Sequence, residues 1–221
     1  MEYRDVLDTL KKNANPKNVE GMARFGINPD KTLGVSIPFL RKLAREIKNT
    51  SPDTHKLAGQ LFASGYHEAK ILAGMIDDPA KVSEKQMDSW TKDFDSWDVC
   101  DQICMNLFDK TPFAFKKAAE WTKREAEFER RAGFALMACL AVHDKSAPDS
   151  KFLPFFPLIT KYSTDERNFV KKAVNWALRQ IGKARPGLTK EALKTAEEIL
   201  EIDSKSAQWV AKDALRELKS C

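Results

Sequence analysis

The chain has 221 residues, 43% hydrophobic and 31% charged, with 37 Lys and Arg against 32 Asp and Glu for a formal charge of +5. That is ordinary globular composition, long enough for one domain with a sizeable core. No apolar run approaches the roughly 20 residues of a membrane span, and the charged start Met1-Glu2-Tyr3-Arg4-Asp5 has no signal-peptide core, so a cytoplasmic protein without membrane contact is expected.

Taken in chain order, the apolar spacing predicts helices over residues 40–47, 55–63, 67–76, 84–94, 97–108, 113–122, 127–142, 166–181, 190–200 and 207–218. The breaks carry turn chemistry, as in Ser51-Pro52-Asp53, Asp77-Asp78-Pro79, Lys110-Thr111-Pro112, Ala147-Pro148-Asp149 and Arg185-Pro186-Gly187. No alternating strand pattern appears, and no stretch reads as a long linker. One all-helical domain over 1–221 is expected.

Several of these helices resemble one another. Ala69, Ala132 and Ala173 each follow a polar residue and precede an apolar face, with Ala211 a weaker copy and Cys100 falling between the first two. The interval of about 30 to 40 residues suits a HEAT-like helix-pair repeat, with small residues where neighbouring helices approach closely. Stacked pairs form a solenoid lined on its concave side by one helix of each pair. If the similar helices line it, the groove receives Trp97, Asp101, Arg130, Arg131, Lys171, Lys172, Trp176 and Arg179. The competing reading leaves each cation on a solvated helix face.

The four cysteines, Cys100, Cys104, Cys139 and Cys221, form no CxxC pair, and His55, His67 and His143 lie far apart. Neither a metal site nor a disulfide framework is expected. No Gly-rich phosphate cradle is present, and residues 33–41, with Gly34 at a turn and Pro38 near a helix start, read as architectural.

The run Asp95-Ser96-Trp97-Asp98-Val99-Cys100-Asp101 carries the most chemistry. On a helix, Trp97 and Asp101 fall one turn apart on one face. An indole face beside a carboxylate suits a cation. Alternatively, Trp97 packs in the core while Asp98 or Asp101 caps a helix.

With these residues in view, the chain from about residue 22 to about residue 183 resembles the AlkD-type alkylpurine DNA glycosylases, a HEAT-like repeat family of DNA alkylation repair enzymes. The resemblance is carried by Met22-Ala23-Arg24-Phe25, by Leu33-Gly34-Val35-Ser36-Ile37-Pro38-Phe39-Leu40-Arg41, by Ser96 to Asp101, by Arg131-Ala132 and by Lys172-Ala173-Val174-Asn175-Trp176-Ala177-Leu178-Arg179. It implies Asp101 as catalytic carboxylate, Trp97 and Trp176 as cleft tryptophans and Arg131 as the site arginine, with Arg130 the neighbouring candidate. Phe25 stands where the best-known members have tyrosine, and reads equally as a DNA contact or a core aromatic. Lys171, Lys172 and Arg179 are candidate DNA-binding residues.

The implied activity is monofunctional hydrolysis of the N-glycosidic bond of cationic N3- or N7-alkylpurines in duplex DNA, by a monomer, with no cofactor and without base flipping. A non-catalytic DNA-binding or protein-adaptor repeat protein is the alternative. Trp90, Trp121 and Trp209 are expected to pack internally, and Arg41 either binds phosphate or pairs with an acid such as Glu46.

Overall fold

A computed structural model describes residues 1–220; Cys221 lies outside the described residues. Among them the regular structure is entirely helical, with no strand, and the chain divides into two compact units, 1–111 and 112–221.

The first unit contains α1 (Tyr3–Lys12), α2 (Pro16–Ala23), α3 (Ile37–Thr50), α4 (Thr54–Ala63), α5 (His67–Ile76), α6 (Glu84–Lys92) and α7 (Trp97–Asn106), followed by a 3-10 turn at Phe108–Lys110. Helix α5 is its centre: all ten of its residues are buried, including His67, Glu68 and Lys70. Helices α3, α4 and α7 pack around it. A Cβ on Gly74 would lie 2.9 Å from Ile103 of α7, so only glycine allows α5 and α7 to approach this closely.

The second unit contains α8 (Ala114–Trp121), α9 (Glu127–His143), α10 (Phe155–Tyr162), α11 (Asn168–Ala184), α12 (Thr189–Leu200) and α13 (Lys205–Leu218). Its central helix is α9, in which every residue from Arg131 to Ala141 is buried. Helices α8 and α11 flank it, and α12 and α13 pair against α11.

The repeated small residues lie in the interior. Ala69, Cys100, Ala132, Ala173 and Ala211 are all fully buried, as expected where side-chain size limits how closely helices pack. Cys104 and Cys139 are likewise buried thiols.

Three helices escaped the sequence reading. Helix α1 buries only Val6, Leu7 and Leu10, too few positions to establish a period. Helix α2 buries nothing; it is set by the Asn15 side chain, which accepts from the Lys17 and Asn18 N–H groups, and by Pro16 at its first position. In α10, Pro157 stands in the first turn, where a missing N–H costs no hydrogen bond. Read from sequence, Pro154 and Pro157 resemble breaks. No helix among the described residues is long and apolar enough to cross a membrane.

Candidate nucleic-acid interface

In the first unit the site is built from the start of α7. Ser96 is fully buried, and its hydroxyl accepts from the Asn28 N–H (3.0 Å). This fixes the helix entry, so the next residue projects from the first turn. That residue is Trp97, whose indole N–H donates to the Phe25 carbonyl (3.1 Å). The bond leaves the Phe25 ring 72% exposed, so Phe25 is a surface aromatic held in register with Trp97 rather than a core anchor. One turn along α7, Asp101 keeps 9% of its surface open. The structure thus brings Phe25, Trp97 and Asp101 into one neighbourhood.

A cavity of about 410 Å³ adjoins Phe25 and Trp97 and is lined also by Met22, Ile37, Ile71 and Asp98 among others; Asp101 is not part of its wall. At its edge His67 Nε2 meets Asp98 at 2.9 Å. Behind it lies a carboxylate the sequence reading missed. Glu68, fully buried, accepts the backbone N–H groups of Leu33 (2.9 Å), Gly34 (2.6 Å) and Val35 (3.1 Å). Three donors converging on one side chain offset the cost of burying it. The clasp also explains Gly34: its φ is +76°, and a Cβ there would lie 2.2 Å from the Asn15 carbonyl oxygen. Residues 33–41 are therefore architectural, fixing where α3 starts. The signal available in sequence was an acid at the first turn of a mostly apolar helix.

Arg41, Arg45 and Lys48 project from α3 at intervals of four and three residues, all exposed. Arg41 makes no ion pair with Glu46 or any other acid among the described residues.

In the second unit Arg131 is buried to 6%, and its guanidinium donates to the Phe169 carbonyl (2.6 Å). Arg130 faces elsewhere: it donates to the Thr122 carbonyl (3.0 Å) and to Asp165 (2.7 Å), with its guanidinium 4.7 Å from the Tyr162 ring centre. Asp165 also receives Arg167 (2.6 Å). Burial would raise the Asp165 pKa, but the Arg167 and Arg130 hydrogen bonds outweigh it and hold it at about 2.

On α11, Lys172 and Trp176 stand one turn apart, the lysine exposed and the indole half-buried. Arg179, three residues further, is engaged by Glu217 and by Asp213 (3.7 Å), and Lys183 also meets Glu217 (3.1 Å). The Lys183 and Arg179 contacts draw the Glu217 pKa below its ordinary value. Lys172 pairs with no acid among the described residues. Lys171 lies 5.1 Å from the ring centre of Trp209. That ring is 40% exposed, whereas Trp90 (6%) and Trp121 (0%) pack internally as expected. Among the described residues, no group of three or more His, Cys, Asp or Glu side chains is placed to hold a metal ion.

The profile of the DNA alkylation repair enzyme family matches residues 6–218. The uncharacterized protein Lin0241 of Listeria innocua serovar 6a is 24% identical over 201 residues, which cover 90% of this chain and 87% of that protein. A solved structure from a family related to the HEAT-like repeat DNA glycosylases, with affinity for branched DNA structures, superposes at a TM-score of 0.80 with 21% identity. The match covers 99% of this chain and 96% of that one, and it shows a HEAT-like repeat fold.

Proposed function

The chain belongs to the DNA alkylation repair enzyme family, and from that premise we propose that it hydrolyses the N-glycosidic bond of cationic N3- or N7-alkylated purines in duplex DNA. The observation that carries the reading is the first turn of α7. An indole pinned by the Phe25 carbonyl stands one turn from a nearly buried carboxylate, an arrangement fitted to positive charge.

Alkylation at a purine ring nitrogen makes the base a cation, and it departs as a neutral molecule taking the bonding pair. Positive charge then develops on the sugar, and water completes the reaction at C1′. Asp101 stabilises that developing charge and orients the water. At about 4 Å and an effective dielectric near 20, a unit charge pair contributes roughly 4 kcal/mol, about a thousandfold in rate. Burial of Asp101 keeps solvent from weakening the interaction. Trp97 presents its ring face to the deoxyribose, contributing about 0.5 to 2 kcal/mol, and Trp176 offers an indole face of the same kind on α11.

Arg131 and Lys172 take flanking phosphates, which position the DNA without reading sequence, and Lys171 and Phe25 extend the contact. Arg130 and Arg179 serve differently in this reading. Each is already paired with acids, so they hold α9 and α11 in place and bind DNA only by giving up those partners. Recognition through the backbone leaves the lesion in the duplex, and because the reaction requires no lysine nucleophile the strand stays intact. The protein acts as a monomer, with no cofactor.

A second reading, DNA binding without excision, is favoured by the branched-DNA affinity of the structural relative. Incubating the protein with duplex DNA carrying 7-methylguanine and assaying free base by chromatography separates the two. Release of 7-methylguanine is expected, leaving an alkali-labile strand that is uncut before alkali. Tight binding with no release would favour the second reading.

A further inference from the structure

Phe25 and Trp209 are the two exposed aromatic rings among the described residues, and only the first belongs to the proposed excision site. Trp209 stands on α13, whose opposite stripe, Ala207, Val210, Ala211, Ala214 and Leu218, is buried. A helix with that much apolar surface already covered has no packing need for an indole left 40% open. Nor does the ring N–H hydrogen-bond to any of the described residues.

Cations dominate the surroundings of Trp209, where the one acid a turn along the helix, Asp213, is already engaged by Arg179 and Arg216. Lys205, four residues before it, and Lys212, three after, share its face of the helix and are exposed. Neither pairs with an acid among the described residues. Lys171 of α11 adds a third cation 5.1 Å from the ring centre. Along the axis Lys205 and Lys212 stand about 10 Å apart at the ordinary rise of an α-helix, enough to bracket the phosphates on either side of one base. A flat aromatic surface between unpaired cations is what sequence-tolerant binding of single strands requires, since every base offers a π face and every step a phosphate.

We infer that Trp209, with Lys171, Lys205 and Lys212, forms a stacking platform for an unpaired nucleobase, so that the protein grips a single-stranded segment of DNA in addition to a duplex. Lys171 presses the indole in place while the open part of the ring receives the base. The platform builds on the proposed DNA binding, but it does not require excision.

The test uses unmodified DNA and the full chain. Fluorescence anisotropy compares a blunt duplex with the same duplex carrying an oligothymidine tail. The wild type is expected to bind the tailed duplex about tenfold more tightly, in line with one stacked base. Trp209→Ala should abolish that preference while changing the blunt-duplex Kd less than about twofold, and Trp209→Phe should keep most of it. The surface pair Lys205→Gln and Lys212→Gln should lower the salt slope on the tailed DNA by about 1.4, as expected for two single-strand phosphate contacts. This arm remains decisive should Trp209→Ala melt early. A wild type indifferent to the tail, a folded Trp209→Ala that keeps the preference, or an unchanged salt slope in the lysine pair would each overturn the platform. Base release by the same variants reports separately on excision, so an inactive protein can pass this test and an active one can fail it.

Discussion

The two halves of the chain differ in charge more than in architecture. Residues 1–111 carry 16 Lys and Arg against 17 Asp and Glu, whereas residues 112–221 carry 21 against 15. In the first unit three carboxylates turn inward or stand beside an aromatic: Glu68 on three backbone N–H groups, Asp98 on His67, Asp101 one turn from Trp97. The second ties several of its cations to acids and leaves Lys172, Lys205 and Lys212 unpaired on the surface. Chemistry that stabilises positive charge and affinity for a polyanion make opposite demands on local potential. That difference predicts that Asp101 of the first unit acts on rate and the unpaired surface lysines of the second on DNA affinity.

The largest structural effect should come from the clasp. Glu68→Ala leaves three N–H groups of residues 33–35 without their acceptor, at a cost of about 3 to 5 kcal/mol. Urea denaturation measures it, and a change below about 1 kcal/mol would mean that the loop is held by other contacts.

Next is Asp165, which gives the second unit an acid-sensitive joint. Its folded pKa of about 2 lies below its ordinary value of 3.8. The stabilisation is therefore complete above pH 4 and is lost as pH falls from about 4 through 2. It amounts to about 2 kcal/mol. Asp165→Asn should lower stability near neutral pH and flatten its decline over that window. Parallel pH profiles for variant and wild type would contradict the assignment.

The smallest effect, and the one that most sharpens the contrast between units, is at Lys172. Lys172→Ala should weaken duplex binding a few-fold and reduce the salt slope by about 0.9, one phosphate contact on duplex DNA, while single-turnover excision at saturating protein stays unchanged. An unaltered slope would place Lys172 off the DNA path.

Much of this fold is readable in the sequence, and what escapes has identifiable causes. The longer helices were legible because their apolar positions keep a helical period, and the repeat because Ala69, Cys100, Ala132, Ala173 and Ala211 recur where helices touch. Helices α2 and α10 were not, because Pro16 and Pro157 read as breaks when the chain uses them in first turns. At the candidate site, a four-residue spacing was enough to pair Trp97 with Asp101. It could not show that Arg130 and Arg179 are committed to acids, that Glu68 clasps a distant loop, or that Trp209 faces outward. These facts depend on partners 30 or more residues away, which local pattern does not encode.

The proposed role of Asp101 in the chemical step is open to a direct comparison. Asp101→Asn is measured against wild type for single-turnover release of 7-methylguanine and for Kd on the same duplex. A loss of about a thousandfold in release is expected, with Kd changed by less than about threefold. Release within about threefold of wild type by a variant that still binds DNA would remove Asp101 from the chemistry.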